Sequence, residues 1–233
     1  YEEVLRAETG QPGQGSVARV VSTRAGSTGV MAGVANTGRD RNWTGSHFDQ
    51  ANWYVFGRLA WDPGADARDI AREWVQRTFD ASPSARNSIV EMMMGSREAV
   101  VDYMTPLGLA HLMGTGHHHG PAPWVADLAR PEWNPVYYHR ADARGIGFDR
   151  TAMGSNALSQ YAPAVASRFS DPERTPLEYL LWFHRVEWQA RLSTGRTLWE
   201  EMLHRYDRGV ATVARWQQQW AGLAGEIDAG RHQ

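Results

Sequence analysis

The strongest constraint on the fold lies toward the C-terminal end. Leu198, Met202, Tyr206, Val210, Val213, Trp216, Trp220 and Leu223 recur at steps of three to four residues. That period sets one continuous apolar stripe along a helix of about seven turns. Thr197-Leu198-Trp199-Glu200 opens it as a capping box, in which the Thr hydroxyl and the Glu carboxylate each satisfy a first-turn N–H. Such a stripe must be covered, by this chain or by another, so helix packing dominates the architecture. With 233 residues, 42% of them hydrophobic, the chain can bury one substantial core. One domain is expected, with two subdomains as the variant.

The same period recurs upstream. Phe48, Ala51, Val55 and Leu59 follow Ser46 as N-cap and stop before Pro63-Gly64, and Ile70, Trp74, Val75 and Phe79 mark a second helix. Ser82-Pro83 opens a third through Met92, Met93 and Met94, which read as adaptable core filler. A second capping box is expected at Thr175-Pro176-Leu177-Glu178. Before Ser46 the pattern differs: Val17, Ala18, Val20 and Val21 suit a short strand, and Thr28 to Asn36 suits a strand buried on both faces. Residues 105–151 hold Gly, Pro, His, Trp and Tyr without a period. A stretch of that length points to function or a partner surface, and its aromatic content argues against disorder.

A net charge of −2 leaves no footprint for nucleic acid or an anionic membrane. All 24 basic residues are Arg, which fits codon bias. The absence of Cys excludes disulfides and thiolate chemistry and leaves the compartment open, extracellular, periplasmic or cytoplasmic. No apolar run is long enough for a membrane span, and a start at Tyr1 reads as a piece of a longer polypeptide. The 11 Trp, 8 Tyr and 6 Phe require a role for aromatic faces in a core or a site.

Gly33 to Trp53 is the loop richest in directional groups, with Arg39, Asp40, Arg41, Asn42, Trp43 and Thr44 behind an apolar run. Sugars need many hydrogen bonds round the rim of a ring and a flat apolar wall for its C–H face, and this mixture supplies both. The plainer reading makes Asp40 a partner for a nearby Arg, Asn42 a turn cap and Trp43 core. His111, His117, His118, His119 and His139 do not fall at helical zinc-site spacing, so neither metal nor cofactor is expected. Asp49, Asp62, Glu178, Glu200 and Glu201 each have a helix-surface or capping reading, and no pair among them reads as the two carboxylates of a glycosidase.

Four blocks carry a resemblance that covers most of the chain: Gly29 to Pro63, Asp102 to Val125, Trp133 to Thr151, and Tyr179 to Gly209. In this order they resemble the C-terminal domain of glycoside hydrolase family 67, the α-glucuronidases. The resemblance implies a parent with a small N-terminal α/β domain, a central (β/α)8 barrel, and this mainly α-helical domain, with its short β-containing N-terminal segment, packed on the barrel. Residues 1–233 then form a single C-terminal domain, 1–45 being a strand and loop segment reaching the active site and 46–233 the helical body with its long loop 105–151.

The implied reaction removes α-1,2-linked glucuronic acid, or its 4-O-methyl ether, from xylo-oligosaccharides with inversion. The catalytic acid and base are expected upstream in the barrel, none in this chain. Trp43 matches the aromatic wall of the uronic acid pocket, with Asn42 and Arg41 added by adjacency. The C-terminal helices are expected to form a homodimer. Where the family is expected to read His-His-Val-Pro, this chain has His184-Arg185-Val186-Glu187, a change that bears on dimer geometry. Two other classes stand beside this reading: a purely structural or oligomerisation module with Trp43 in the core, and a self-sufficient His-dependent metalloenzyme.

Overall fold

The structure is a computed structural model, which describes residues 1–22, 29, 31–34, 39, 46–110, 112–114 and 120–232. In chain order its elements are α1 (Glu2–Arg6), α2 (Val17–Ser22), α3 (His47–Trp61), α4 (Ala67–Thr78), α5 (Pro83–Met104), α6 (Pro135–His139), β1 (Gly145–Ile146), α7 (Pro163–Phe169), α8 (Leu180–Phe183), β2 (Val186–Glu187), α9 (Leu198–Ala221) and α10 (Ala229–His232), with short 3₁₀ turns between some of them. The protein is mainly helical, as its sequence pattern requires. It forms two compact units, one of residues 1–96 with 215–233 and the other of residues 97–214, so α5 and α9 contribute to both. No helix among the described residues is long and apolar enough to cross a membrane.

In the first unit the start and stop signals act as residue chemistry demands. Asp66 caps α4 by accepting from Asp69 N at 2.9 Å, and Ser82 Oγ accepts from Ala85 N at 3.2 Å behind the Pro83 start of α5. Ser46 is the N-cap of α3 in extended backbone, although its side chain makes no capping bond. These helices close on Trp74, Val75, Phe79, Ile89 and Val90, with Leu223 and Ile227 completing the cluster and Met92, Met93 and Met94 packed against it. Phe48 lies 5.8 Å from both the Trp74 and Trp220 rings, which ties the first turn of α3 into this core.

Two expectations for the N-terminal segment are corrected. Val17–Ser22 is helix, not strand: Val20 N donates to Ser16 O at 3.1 Å and Ser22 Oγ to Ala18 O at 2.8 Å. Val17, Val20 and Val21 fit positions i, i+3 and i+4 as well as they fit an alternation, and the local hydrogen bonds decide. Met31 to Val34, expected inside a buried strand, are not in a strand, and Val34 is 96% exposed. The β content of this segment among the described residues is one antiparallel bridge, Glu8 to Ser16.

The second unit packs on Leu107, Leu109, Ile146, Leu181, Leu198 and Met202. β1 and β2 pair antiparallel, Gly145 opposite Glu187 and Ile146 opposite Val186. The capping box at α9 is reciprocal: Thr197 N donates to Glu200 Oε2 at 2.8 Å and Glu200 N to Thr197 Oγ1 at 3.2 Å. The box expected at Thr175 does not form. The Thr175 hydroxyl is buried, donates to Asp171 O, and lies 2.8 Å from His184 Nε2, so it is not free to cap the 3₁₀ turn that follows. Along α9, Leu198 and Met202 are buried while Val210 and Val213 are exposed.

Candidate functional site

Arg41, Asn42 and Trp43 lie outside the described residues, as do Asp40, Thr44, His111 and His117 to His119. The flanks of the Trp43 loop are described. On one side Gly33 sits against the rings of Trp53 and Phe56 in α3. On the other, His47 Nε2 lies 3.2 Å from Gly230 O, one residue before Phe48 enters the aromatic core. The described flanks, Gly33 and His47, thus both contact residues of the first unit.

His139 is a satisfied core residue. It is buried, its Nε2 lies 2.8 Å from Pro123 O, and its Nδ1 accepts from Ala141 N at 2.9 Å. With Nδ1 accepting and Nε2 facing a carbonyl, both ring nitrogens are engaged and none is left for a metal. Among the described residues no three His, Asp or Glu side chains gather as ligands for an ion.

The carboxylates named from sequence divide by burial. Asp62 accepts from Gly64 N at 3.0 Å, and Glu200 is a cap whose acidity is strengthened first by the Thr197 backbone N–H. Glu201 is different: it is 2% exposed and receives Arg205 Nε at 2.8 Å and Arg196 at 3.0 Å. Burial pushes its carboxyl up, but bonds from Arg205, Arg196 and Thr194 outweigh that and hold it below the usual carboxylate range. Asp102 on α5, which no sequence signal singled out, is also buried and takes a bidentate grip from Arg208 at 2.6 and 2.8 Å, with Arg205 3.8 Å away. Both buried acids are neutralised by Arg on α9 or just before it. This is the chemistry of a brace, not of a proton donor.

A second grouping missed from sequence joins cations and rings. The Arg140 guanidinium lies 3.9 Å from the centre of the Phe148 ring and 5.5 Å from that of Tyr137; Arg150 lies 4.5 Å from Phe148 and 3.9 Å from Trp182. The Phe148 and Arg150 backbone N–H groups donate to Leu181 O and Phe183 O, so α8 fixes both residues. Arg185, one of the departures noted above, ion-pairs with Asp142 at 2.6 Å and donates to Arg140 O.

The two units are mainly helical, and among their described carboxylates Asp62 and Glu200 serve turns and caps while Asp102 and Glu201 are buried braces. Residues 44–233 match the family described as "Glycosyl hydrolase family 67 C-terminus", and the chain belongs to that family. It is 36% identical over 206 residues to an "Alpha-glucuronidase" of Hypocrea jecorina, covering 88% of this chain and 24% of that protein. It is 35% identical over 240 residues to "Alpha-glucuronidase A" of Emericella nidulans, covering 100% of this chain and 28% of that protein. A "Probable alpha-glucuronidase A" of Aspergillus clavatus is 35% identical over 208 residues, with 88% and 24% covered. The chain spans about a quarter of the length of these relatives.

Proposed function

We propose that this chain is the C-terminal part of an α-glucuronidase that hydrolyses α-1,2-linked (4-O-methyl)glucuronic acid from xylo-oligosaccharides with inversion. The observation that carries the reading is the family match over 44–233 together with relatives named α-glucuronidase at about 35% identity. In this reading residues 1–233 act as one domain packed on a catalytic barrel. Its loop before α3 supplies the wall of the uronic acid pocket through Trp43, flanked by Asn42 and Arg41. The catalytic acid and base belong to the barrel, which accords with buried carboxylates at Asp102 and Glu201 that are already engaged by arginines. Stacking a sugar face on an indole contributes on the order of 1–2 kcal/mol, about tenfold in affinity.

Trp43→Ala in the full-length protein tests the wall. Turnover of a glucuronosyl xylo-oligosaccharide is expected to fall about tenfold at low substrate with an unchanged melting temperature. Unchanged turnover would overturn the assignment and favour the purely structural reading, to which the exposed Val210 and Val213 of α9 lend support.

A further inference from the structure

Arg140 and Arg150 lie over one Phe148 ring, and neither is paired with a carboxylate among the described residues. The acids closest in sequence are committed elsewhere. Asp149 Oδ1 accepts from Thr151 N at 2.9 Å and Thr151 Oγ1 at 2.7 Å, and Asp142 binds Arg185. What the two guanidiniums do have is backbone: Arg140 Nε donates to Tyr137 O at 3.2 Å, and Arg150 Nη1 to Trp182 O. Each retains further donors. Arg150 carries its charge while partly withdrawn from water: burial is the largest influence and lowers its pKa, the Arg140 charge adds to that, and the Tyr161 phenol opposes it. The geometry is nonetheless pinned, because the Phe148 and Arg150 N–H groups are bonded to the carbonyls at the end of α8.

Around this pair stand flat apolar faces and phenols. Trp182 is 37% and Tyr137 36% exposed, and the phenols of Tyr137, Tyr138 and Tyr161 lie near Arg150. A guanidinium fork recognises a carboxylate, an indole takes the C–H face of a sugar, and phenols meet its hydroxyls. We propose that Arg140, Arg150 and Trp182 form a second saccharide site that takes the carboxylate of a hexuronate residue, separate in sequence from the Trp43 loop. The proposal rests on the α-glucuronidase reading for the class of sugar, and the site binds substrate without cleaving it.

Native affinity electrophoresis of the full-length protein, run cold in gels holding glucuronoxylan, unsubstituted xylan or carboxymethylcellulose, tests it. Glucuronoxylan is expected to retard the wild type and to go on retarding Trp43→Ala, and retardation is expected to fall at least threefold in both Arg150→Gln and Arg140→Gln. The latter variant guards against misfolding, since Arg140 is exposed whereas Arg150 packs against Trp182. Release of glucuronic acid from a small glycoside, measured in parallel, is expected to be unchanged in both. The proposal is overturned if the two Gln variants keep wild-type retardation, or if carboxymethylcellulose retards as strongly as glucuronoxylan, which would mark bulk charge. Equal retardation by unsubstituted xylan would show that no carboxylate is read, and no retardation by any polymer would show a face covered by protein. A wild type that is retarded yet releases no glucuronic acid would sink the enzymatic reading and leave the site standing.

Discussion

Glu201 sits where a lone charge could not. It is 2% exposed, and its oxygens are held by Arg205 and Arg196. Glu201→Gln keeps the shape and removes the charge, leaving Arg205, itself largely buried, to face only Asp102 at 3.8 Å. Breaking such a buried pair costs about 3 kcal/mol, which a urea midpoint should register. His184 carries a different liability. It is buried against Thr175, and burial lowers its pKa from the ordinary 6.5 despite the nearby charges of Asp149 and Asp171 and the Phe169 backbone. The unfolded chain therefore binds this proton more readily than the folded one. Stability is full above about 6.5 and declines as pH falls from there toward the lower folded value. Urea midpoints between pH 8 and pH 5 should drop, and His184→Gln should flatten that drop. A drop of equal size in the variant would assign it to other groups. Glu201 acts in a lower window, losing its contribution as pH falls below its ordinary 4.5. Neither residue was legible as buried, because Glu201 reads as an exposed first-turn acid and His184 enters only as the first letter of His184-Arg185-Val186-Glu187.

At the scale of elements, the period carried most of the fold. α3, α4, α5 and α9 fall where the three- to four-residue spacing and the caps place them. Spacing failed where two periods fit equally, as at Val17 to Ser22, and where a cap's side chain was taken by a distant partner, as at Thr175. Residues 105–151 had no period because much of the described part of that stretch is turns and very short elements, and its Phe148 and Arg150 are aligned by backbone bonds that sequence does not display. What sequence also hides is how closely elements approach. In α9, a Cβ at Gly209 would sit 2.7 Å from Tyr103 N and 3.0 Å from Asp102 Cβ. In α3, a Cβ at Gly57 would meet nothing within 4 Å. Helix propensity favours Ala over Gly by about 1 kcal/mol at both positions. At Gly57 that term acts alone, so Gly57→Ala should stabilise by up to about 1 kcal/mol. At Gly209 a backbone atom cannot swing aside, and overpacking of about 2 kcal/mol should outweigh the propensity gain. Urea denaturation of the two variants should give shifts of opposite sign; a stabilised Gly209→Ala would mean that α5 and α9 can part without cost.

For the whole molecule, the apolar surface that the second unit does not cover is a matter of which helix face it lies on. On α9, Leu198 and Met202 point into the core, whereas Trp199, Leu203, Val210 and Val213 are 50%, 46%, 62% and 43% exposed. Their steps of four, seven and three residues keep these four on one side of the helix, so they form an exposed stripe beside the buried one. Scattered exposed apolar residues need no explanation, but an aligned stripe on a long helix does. A helix contact between two copies would cover it, the homodimer that the sequence resemblance implies for the C-terminal helices. A stable dimer buries about 1,600 Å² in total, more than four side chains supply, so the stripe would be the centre of a larger contact and its middle residue the most sensitive. Val210→Glu is the variant to make. At 62% exposure the side chain contributes little to the fold of its own chain, so helix content by circular dichroism should not change. Buried at an interface, an unpaired carboxylate is costly, and the mass of the full-length protein by sedimentation should fall from a dimer to a monomer at micromolar concentration. A dimer that survives the substitution would place the contact elsewhere and leave the stripe to the rest of the protein's own chain.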